Sequence, residues 1–281
     1  MRRALATGAR LAVPIALLAL AWTKLDLDAA TATLTGVAPA PAAAGCLLLL
    51  GGQVVCALRW RAVAARLGAR ASARWFAAVY LRGCFYGSVL PTAYGGDVVR
   101  VARASELAGA SRAAKSVLID RLAGFAVLAA VAGALLPFAG YGLPSPAEPL
   151  IAVACACLLT ASALALWVRE QRAVVGWGLA YVALWAGGTG LLALSLGVAF
   201  TPAALPAVLL VVGVAMALPV SIGAAGTREA GFVVALAPLG VGAPEAVALG
   251  IAFGLAVAVA ALPGAPVPLP RRVPPELGAG A

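Results

Sequence analysis

The chain has 281 residues, of which 64% are hydrophobic and 11% charged, and its mean hydropathy is +1.04. Soluble globular domains carry about 25% charged residues, so the composition excludes a soluble enzyme or binding domain and implies an all-α polytopic membrane protein. Lys and Arg outnumber Asp and Glu 20 to 10, but a multispanning chain gathers such an excess in its cytoplasmic loops, and nucleic acid is not an expected partner.

The sequence contains no histidine, the commonest general base, proton shuttle and metal ligand. No metal, cofactor or catalytic activity is therefore expected. Cys46, Cys56, Cys84, Cys155 and Cys157 lie in apolar stretches without metal-ligand spacing and read as small core residues.

In chain order, Arg2, Arg3 and Arg10 precede an apolar run at 11–22. It reads as a first span with a cytoplasmic N-terminus; a signal peptide is the alternative, but no clean small-residue cleavage site follows. A second span at 43–58 leads into Arg59, Arg61, Arg66, Arg70 and Arg74, which mark a cytoplasmic loop. If 75–90 then crossed the membrane, Arg100, Arg103, Arg112 and Lys115 would lie outside, against the positive-inside rule. A re-entrant hairpin removes the conflict: 75–90 descends, 91–96 turns inside the protein and 97–107 returns as a short helix. Irregular backbone at that depth is tolerated only where protein or a wet cavity surrounds it.

Spans at 116–138, 150–168 and 174–196 follow, with Arg169, Glu170 and Arg172 inside. Arg271 and Arg272 in the tail demand a second re-entrant hairpin at 205–239 before a final span at 246–262. The result is about six full spans plus two hairpins, or about eight spans if both hairpins cross. It forms one transmembrane domain over 1–281 with no soluble domain. Halves 1–140 and 141–281 then relate as an inverted-topology repeat, an arrangement common in transporters.

The two hairpin tips carry the chemistry. The first, PTAYGGDVVR, has Thr92, Tyr94, Gly95, Gly96, Asp97 and Arg100. Its glycines permit positive φ and close backbone approach, and Asp97 stands where an N-cap belongs, one face shared with Arg100. The second, PVSIGAAGTREAG, has Ser221, Gly223, Gly226, Arg228 and Glu229. Arg228 falls in a first helical turn, where a cation opposes the macrodipole, and a charge near mid-membrane costs roughly 2.5–3.5 kcal/mol on insertion scales. Either an anionic ligand on the helix N-terminus compensates it, or Asp97, Asp120 and Glu229 form an internal network with Arg100, Arg121 and Arg228. Thr92, Tyr94 and Ser221 either donate to a headgroup or satisfy backbone. In a membrane, a phosphate bound between the two tips means a lipid headgroup.

LPTAYGGDVVR (90–100), SVLIDRLAG (116–124) and PVSIGAAGTREAGF (219–232) together resemble the lysylphosphatidylglycerol synthase transmembrane-region family, over nearly the whole chain. That family includes the flippase portion of the multiple peptide resistance factor and stand-alone bacterial relatives. The resemblance implies a multi-pass protein of the bacterial inner membrane that moves a phospholipid or polyprenyl-linked lipid between leaflets. The chain ends soon after Leu262, where bifunctional relatives continue into an aminoacyl-transferring domain, so only the transport module is implied. Its expected partners are the lipid itself, a homo-oligomer, or a separately encoded lipid-modifying enzyme. The competing readings are a membrane-embedded transferase with Asp97 or Glu229 as base, and a non-catalytic module beside a separate synthase.

Overall fold

The computed structural model describes residues 32–89, 95–141, 172–217, 224 and 226–265. The expected spans at 11–22 and 150–168, the basic tail and Thr92, Tyr94, Ser221 and Gly223 lie outside the described residues. Within them the chain is built from helices: α1 (Pro39–Arg66), α2 (Ala73–Val89), α3 (Gly95–Ala108), α4 (Ala110–Leu135), α5 (Arg172–Ser195), α6 (Leu205–Ala217), α7 (Thr227–Leu236) and α8 (Ala243–Ala261). Single 3₁₀ turns extend α4, α7 and α8 and precede α6. Proline sits at N1 or N2 of α1 and α8, where its missing N–H leaves nothing unsatisfied.

Four of these helices are long and apolar enough to cross a membrane: Pro39–Arg66, Ala110–Phe138, Arg172–Ser195 and Ala243–Gly264. Between them stand two pairs of shorter helices, so the order long, short, short, long occurs twice. The shorter helices, of 17, 14, 13 and 10 residues, fall below the roughly 20 residues that span a hydrocarbon core.

Contacts at the helix termini fix which ends lie together. At one end Ala38 N donates to Ser195 O at 2.8 Å and the Tyr141 hydroxyl donates to Ala235 O at 3.4 Å. With Gly140 packed against Thr201, where an added Cβ would lie 2.9 Å from Oγ1, these contacts gather the start of α1, the ends of α4, α5 and α7, and the chain entering α6. At the other end Trp60, Ala64, Ala69, Trp75 and Ala113 share a buried cluster with Leu107 and Ala108. The end of α1, the start of α2, the end of α3 and the start of α4 meet there. The pair α2–α3 thus begins and finishes at the arginine-rich end, and α6–α7 at the opposite one.

Small residues let the backbones close on one another. A Cβ on Gly45 would lie 2.9 Å from Gly188 O, and one on Gly188 would lie 3.0 Å from Gly45 O, so α1 and α5 pack main chain to main chain. Without a hydrophobic drive between helices in lipid, such proximity supplies the dispersion contact that holds a bundle. In the α2–α3 pair the equivalent contact is Gly83 against Gly96, whose added Cβ would stand 2.5 Å from Gly83 O. The main core, with Leu49, Val208, Phe232, Leu249 and Phe253 fully buried, lies among α1, α6, α7 and α8.

Two expectations need correcting. Arg59, Arg61 and Arg66 are not loop residues but the last turns of α1, which continues past 58 because LRWRAVAAR contains no glycine or proline to stop it. Gly95 and Gly96 belong to the first turn of α3 and are absent from the positive-φ residues; the use of Gly96 is its approach to Gly83.

Candidate functional site

Five charged side chains from α1, α3 and α4 meet inside the bundle. Arg59 Nε donates to Asp120 Oδ1 at 2.8 Å, and Arg100 Nη2 donates to Asp120 Oδ2 at 2.5 Å. Arg100 Nη1 reaches Asp97 Oδ1 at 3.3 Å, and Arg121 Nε reaches Asp97 Oδ2 at 2.5 Å. Asp120 is 1% exposed, Arg59 4% and Arg100 5%. The side chains of Asp97 and Arg121 are 17% and 34% exposed, so they form the accessible edge.

The helices set the depth of this cluster. Asp120 lies about ten residues into α4 from the arginine-rich end, roughly 15 Å at 1.5 Å per residue. Asp97 is about eleven residues from the same end of α3, roughly 16 Å. Both therefore stand inside the bundle, about three helical turns from that end.

Aromatic and glycine surfaces hold the guanidinium groups. Arg100 lies 4.5 Å from the Trp60 ring centre and 4.8 Å from that of Tyr80, each contact worth about 0.5–2 kcal/mol where water is excluded. Trp60 is itself fixed by donating to Ser116 Oγ at 3.1 Å. Arg59 lies 5.5 Å from the Tyr181 ring centre. It packs on bare Gly124, where a Cβ would stand 2.7 Å from Nη1.

Among the described residues, three guanidinium groups share two carboxylates here. Arg59 Nη1 and Arg100 Nε are buried and have no acceptor among the described residues. An unsatisfied buried donor on a charged group costs more than the 1–3 kcal/mol typical of neutral groups.

The second break is electrically closed. Glu229 bends back so that Oε2 accepts from Gly226 N at 2.6 Å, the reaching-back half of a capping box. That places Oε1 beside Arg228, whose Nε donates to it at 3.0 Å and whose Nη2 also contacts it. Adjacent helical residues point to different sides, but Glu229 folds over the helix terminus and so meets Arg228. The Arg228 guanidinium occupies the space that a side chain on Gly254 would fill. Arg228 is therefore compensated internally, and the argument that it requires a ligand does not hold.

Asp97 is corrected too. It lies within the first turn of α3 rather than before it, and its carboxylate engages Arg100 and Arg121. Of the expected site residues, Asp97, Arg100, Asp120 and Arg121 come together, with Gly95 and Gly96 at the start of the same helix. Arg228, Glu229 and Gly226 form the separate second set. Arg59 was missed, because five nearby arginines read as one loop and its partner is 61 positions away. An aromatic row joins the two sets: Tyr181 packs on Trp185 with ring centres 4.8 Å apart, and Trp185 on Phe253 at 5.4 Å, one residue from Gly254.

The turn before α7 is strained. Ala224 holds φ +61° and accepts from both Arg228 N and Thr227 Oγ1, while Gly226 at φ +82° adopts its conformation without penalty. A left-handed alanine costs about 1 kcal/mol. Ala224→Gly should accordingly raise the thermal stability of the purified protein by about 1 kcal/mol, measured by unfolding in detergent; a loss of stability would contradict the strain.

A long-helix bundle with paired short helices and a buried arginine–carboxylate cluster defines a multispanning membrane protein with a polar interior site. The chain belongs to the family described as the lysylphosphatidylglycerol synthase TM region, whose model matches residues 8–174. The match includes Arg59, Asp97, Arg100, Asp120 and Arg121 and stops before the second break, so it covers less of the chain than the three motifs suggest. No curated protein sequence matches the chain. The family connects the chain with membrane modules of lipid modification or transport.

Proposed function

We propose that the protein is a lipid transporter of the flippase or scramblase type. It would move a phospholipid or polyprenyl-linked lipid between leaflets, binding its anionic headgroup at Arg59, Arg100 and Arg121. The observation that carries this reading is the gathering of three arginines inside the bundle around Asp97 and Asp120, with an accessible edge at Asp97 and Arg121. Guanidinium forks match phosphate oxygens in pairs, and in a bilayer the available phosphates belong to lipids. A transferase reading is disfavoured because both oxygens of Asp97 accept from arginines and those of Glu229 accept from Gly226 N and Arg228, leaving neither carboxylate placed as a general base.

In this reading α2–α3 and α6–α7 are re-entrant hairpins entering from opposite faces of the bacterial inner membrane, with the N-terminus cytoplasmic and the halves inverted. Support comes from their short lengths and from the opposite ends at which they begin and finish. Ala110→Cys and Ala237→Cys, both exposed positions beside the hairpins, should be labelled by a membrane-impermeant maleimide from the cytoplasmic and the outer side respectively. Labelling of both from one side would rule the arrangement out.

The transport reading is tested with purified protein in liposomes containing fluorescent phosphatidylglycerol. The native protein should accelerate leaflet exchange, and Arg121→Ala should slow it about tenfold, the equivalent of ~1.4 kcal/mol of lost headgroup binding. Equal rates in a correctly folded variant would sink the assignment, as would equal rates with and without protein.

A further inference from the structure

We propose that Asp97 is a built-in stand-in for the headgroup phosphate, held on Arg100 and Arg121 until a lipid anion displaces it. This inference rests on the headgroup reading above and adds how that site is regulated. The two carboxylates of the cluster differ in kind. Asp120 is buried at 1% exposure and ties α1, α3 and α4 together through Arg59 and Arg100. Asp97 occupies the accessible edge, with Oδ2 on Arg121 at 2.5 Å and Oδ1 on Arg100 at only 3.3 Å.

A carboxylate and a phosphate present the same feature to arginine, a pair of oxygens that accept side by side. Asp97 spans Arg100 and Arg121 in that manner, across the gap between α3 and α4. Being part of the chain, it competes at a high effective concentration. Without Asp97, its contacts to Arg100 and Arg121 are lost, and a lipid anion no longer competes with a carboxylate for the same guanidinium groups, so it is held more firmly and released more slowly. Headgroup binding is therefore an exchange, carboxylate out and phosphate in. Asp97 weakens the affinity and speeds the release that turnover requires. Displacing it also severs the Asp97–Arg121 link between α3 and α4, while Arg100–Asp120 keeps the helices docked.

The test measures binding of a short-chain fluorescent phosphatidylglycerol to the purified full chain in detergent, with its dissociation rate. Asp97→Asn, which keeps the shape and removes the charge, should bind about fivefold tighter, the change expected for losing a partly exposed ion pair, and release the lipid more slowly. Asp97→Glu should stay within about twofold of native. Asp97→Ser serves as a second neutral variant, so that a folding defect of one substitution does not decide the result. If the native protein binds the lipid and both neutral variants bind it equally or more weakly, Asp97 is a supporting ligand and the inference is wrong. If the native protein and every variant fail to bind, the headgroup reading itself is overturned.

Discussion

Asp120→Ala should destabilise the bundle by about 3–5 kcal/mol, the cost of leaving a buried ionic partner uncompensated. Both oxygens of this carboxylate are committed, one to Arg59 and one to Arg100, and all three residues are at most 5% exposed. Without it, two guanidinium groups would face each other in a medium with almost no water. Against total stabilities of 5–15 kcal/mol, that loss is large. Thermal unfolding of the purified variant in detergent would read it, alongside Asp97→Ala as the comparison. Asp97 is more exposed, and losing it should cost about 1 kcal/mol or less. Equal losses in the two variants would show that Asp120 does not hold the cluster together.

Gly96→Ala should be nearly as damaging, for a reason of shape rather than charge. Its Cβ would lie 2.5 Å from Gly83 O and 2.9 Å from Gly83 C, and a main-chain carbonyl on a packed helix has nowhere to retreat. Overpacking of this kind costs about 3 kcal/mol or more when backbone must shift. The pair α2–α3 would separate where Asp97 and Arg100 are displayed, so lipid exchange should fall along with stability. Gly87→Ala, on the facing helix α2, is the control. Its Cβ would approach Gly96 N no closer than 3.6 Å, and the gain in helix propensity of up to about 1 kcal/mol should leave the protein as stable as native or slightly more so. A Gly96→Ala variant as stable as Gly87→Ala would contradict the close packing.

Much of the architecture is legible in the residue pattern because hydrophobic length and arginine placement are properties of local segments. The helices expected at 75–90 and 97–107 are found as Ala73–Val89 and Gly95–Ala108. Pairing is a different matter. Arg59 reads as one of five loop arginines until α1 is seen to run unbroken to Arg66 and to lie against α4. Which acid serves which arginine depends on helix rotation and depth, and neither is written in local composition. Arg228 shows the opposite error. Its partner is its own neighbour, Glu229, made available by the way a capping side chain folds over a helix terminus. Local rules exposed the charges; only packing shows which of them meet.

The most direct test of the headgroup site compares two labelled lipids in the same proteoliposomes, phosphatidylglycerol and the uncharged monoglucosyl diacylglycerol. If the arginine cluster selects an anionic headgroup, the native protein accelerates leaflet exchange of phosphatidylglycerol and leaves the glycolipid near its spontaneous rate. Equal acceleration of both lipids would show that the cluster does not read the phosphate, and would contradict the account.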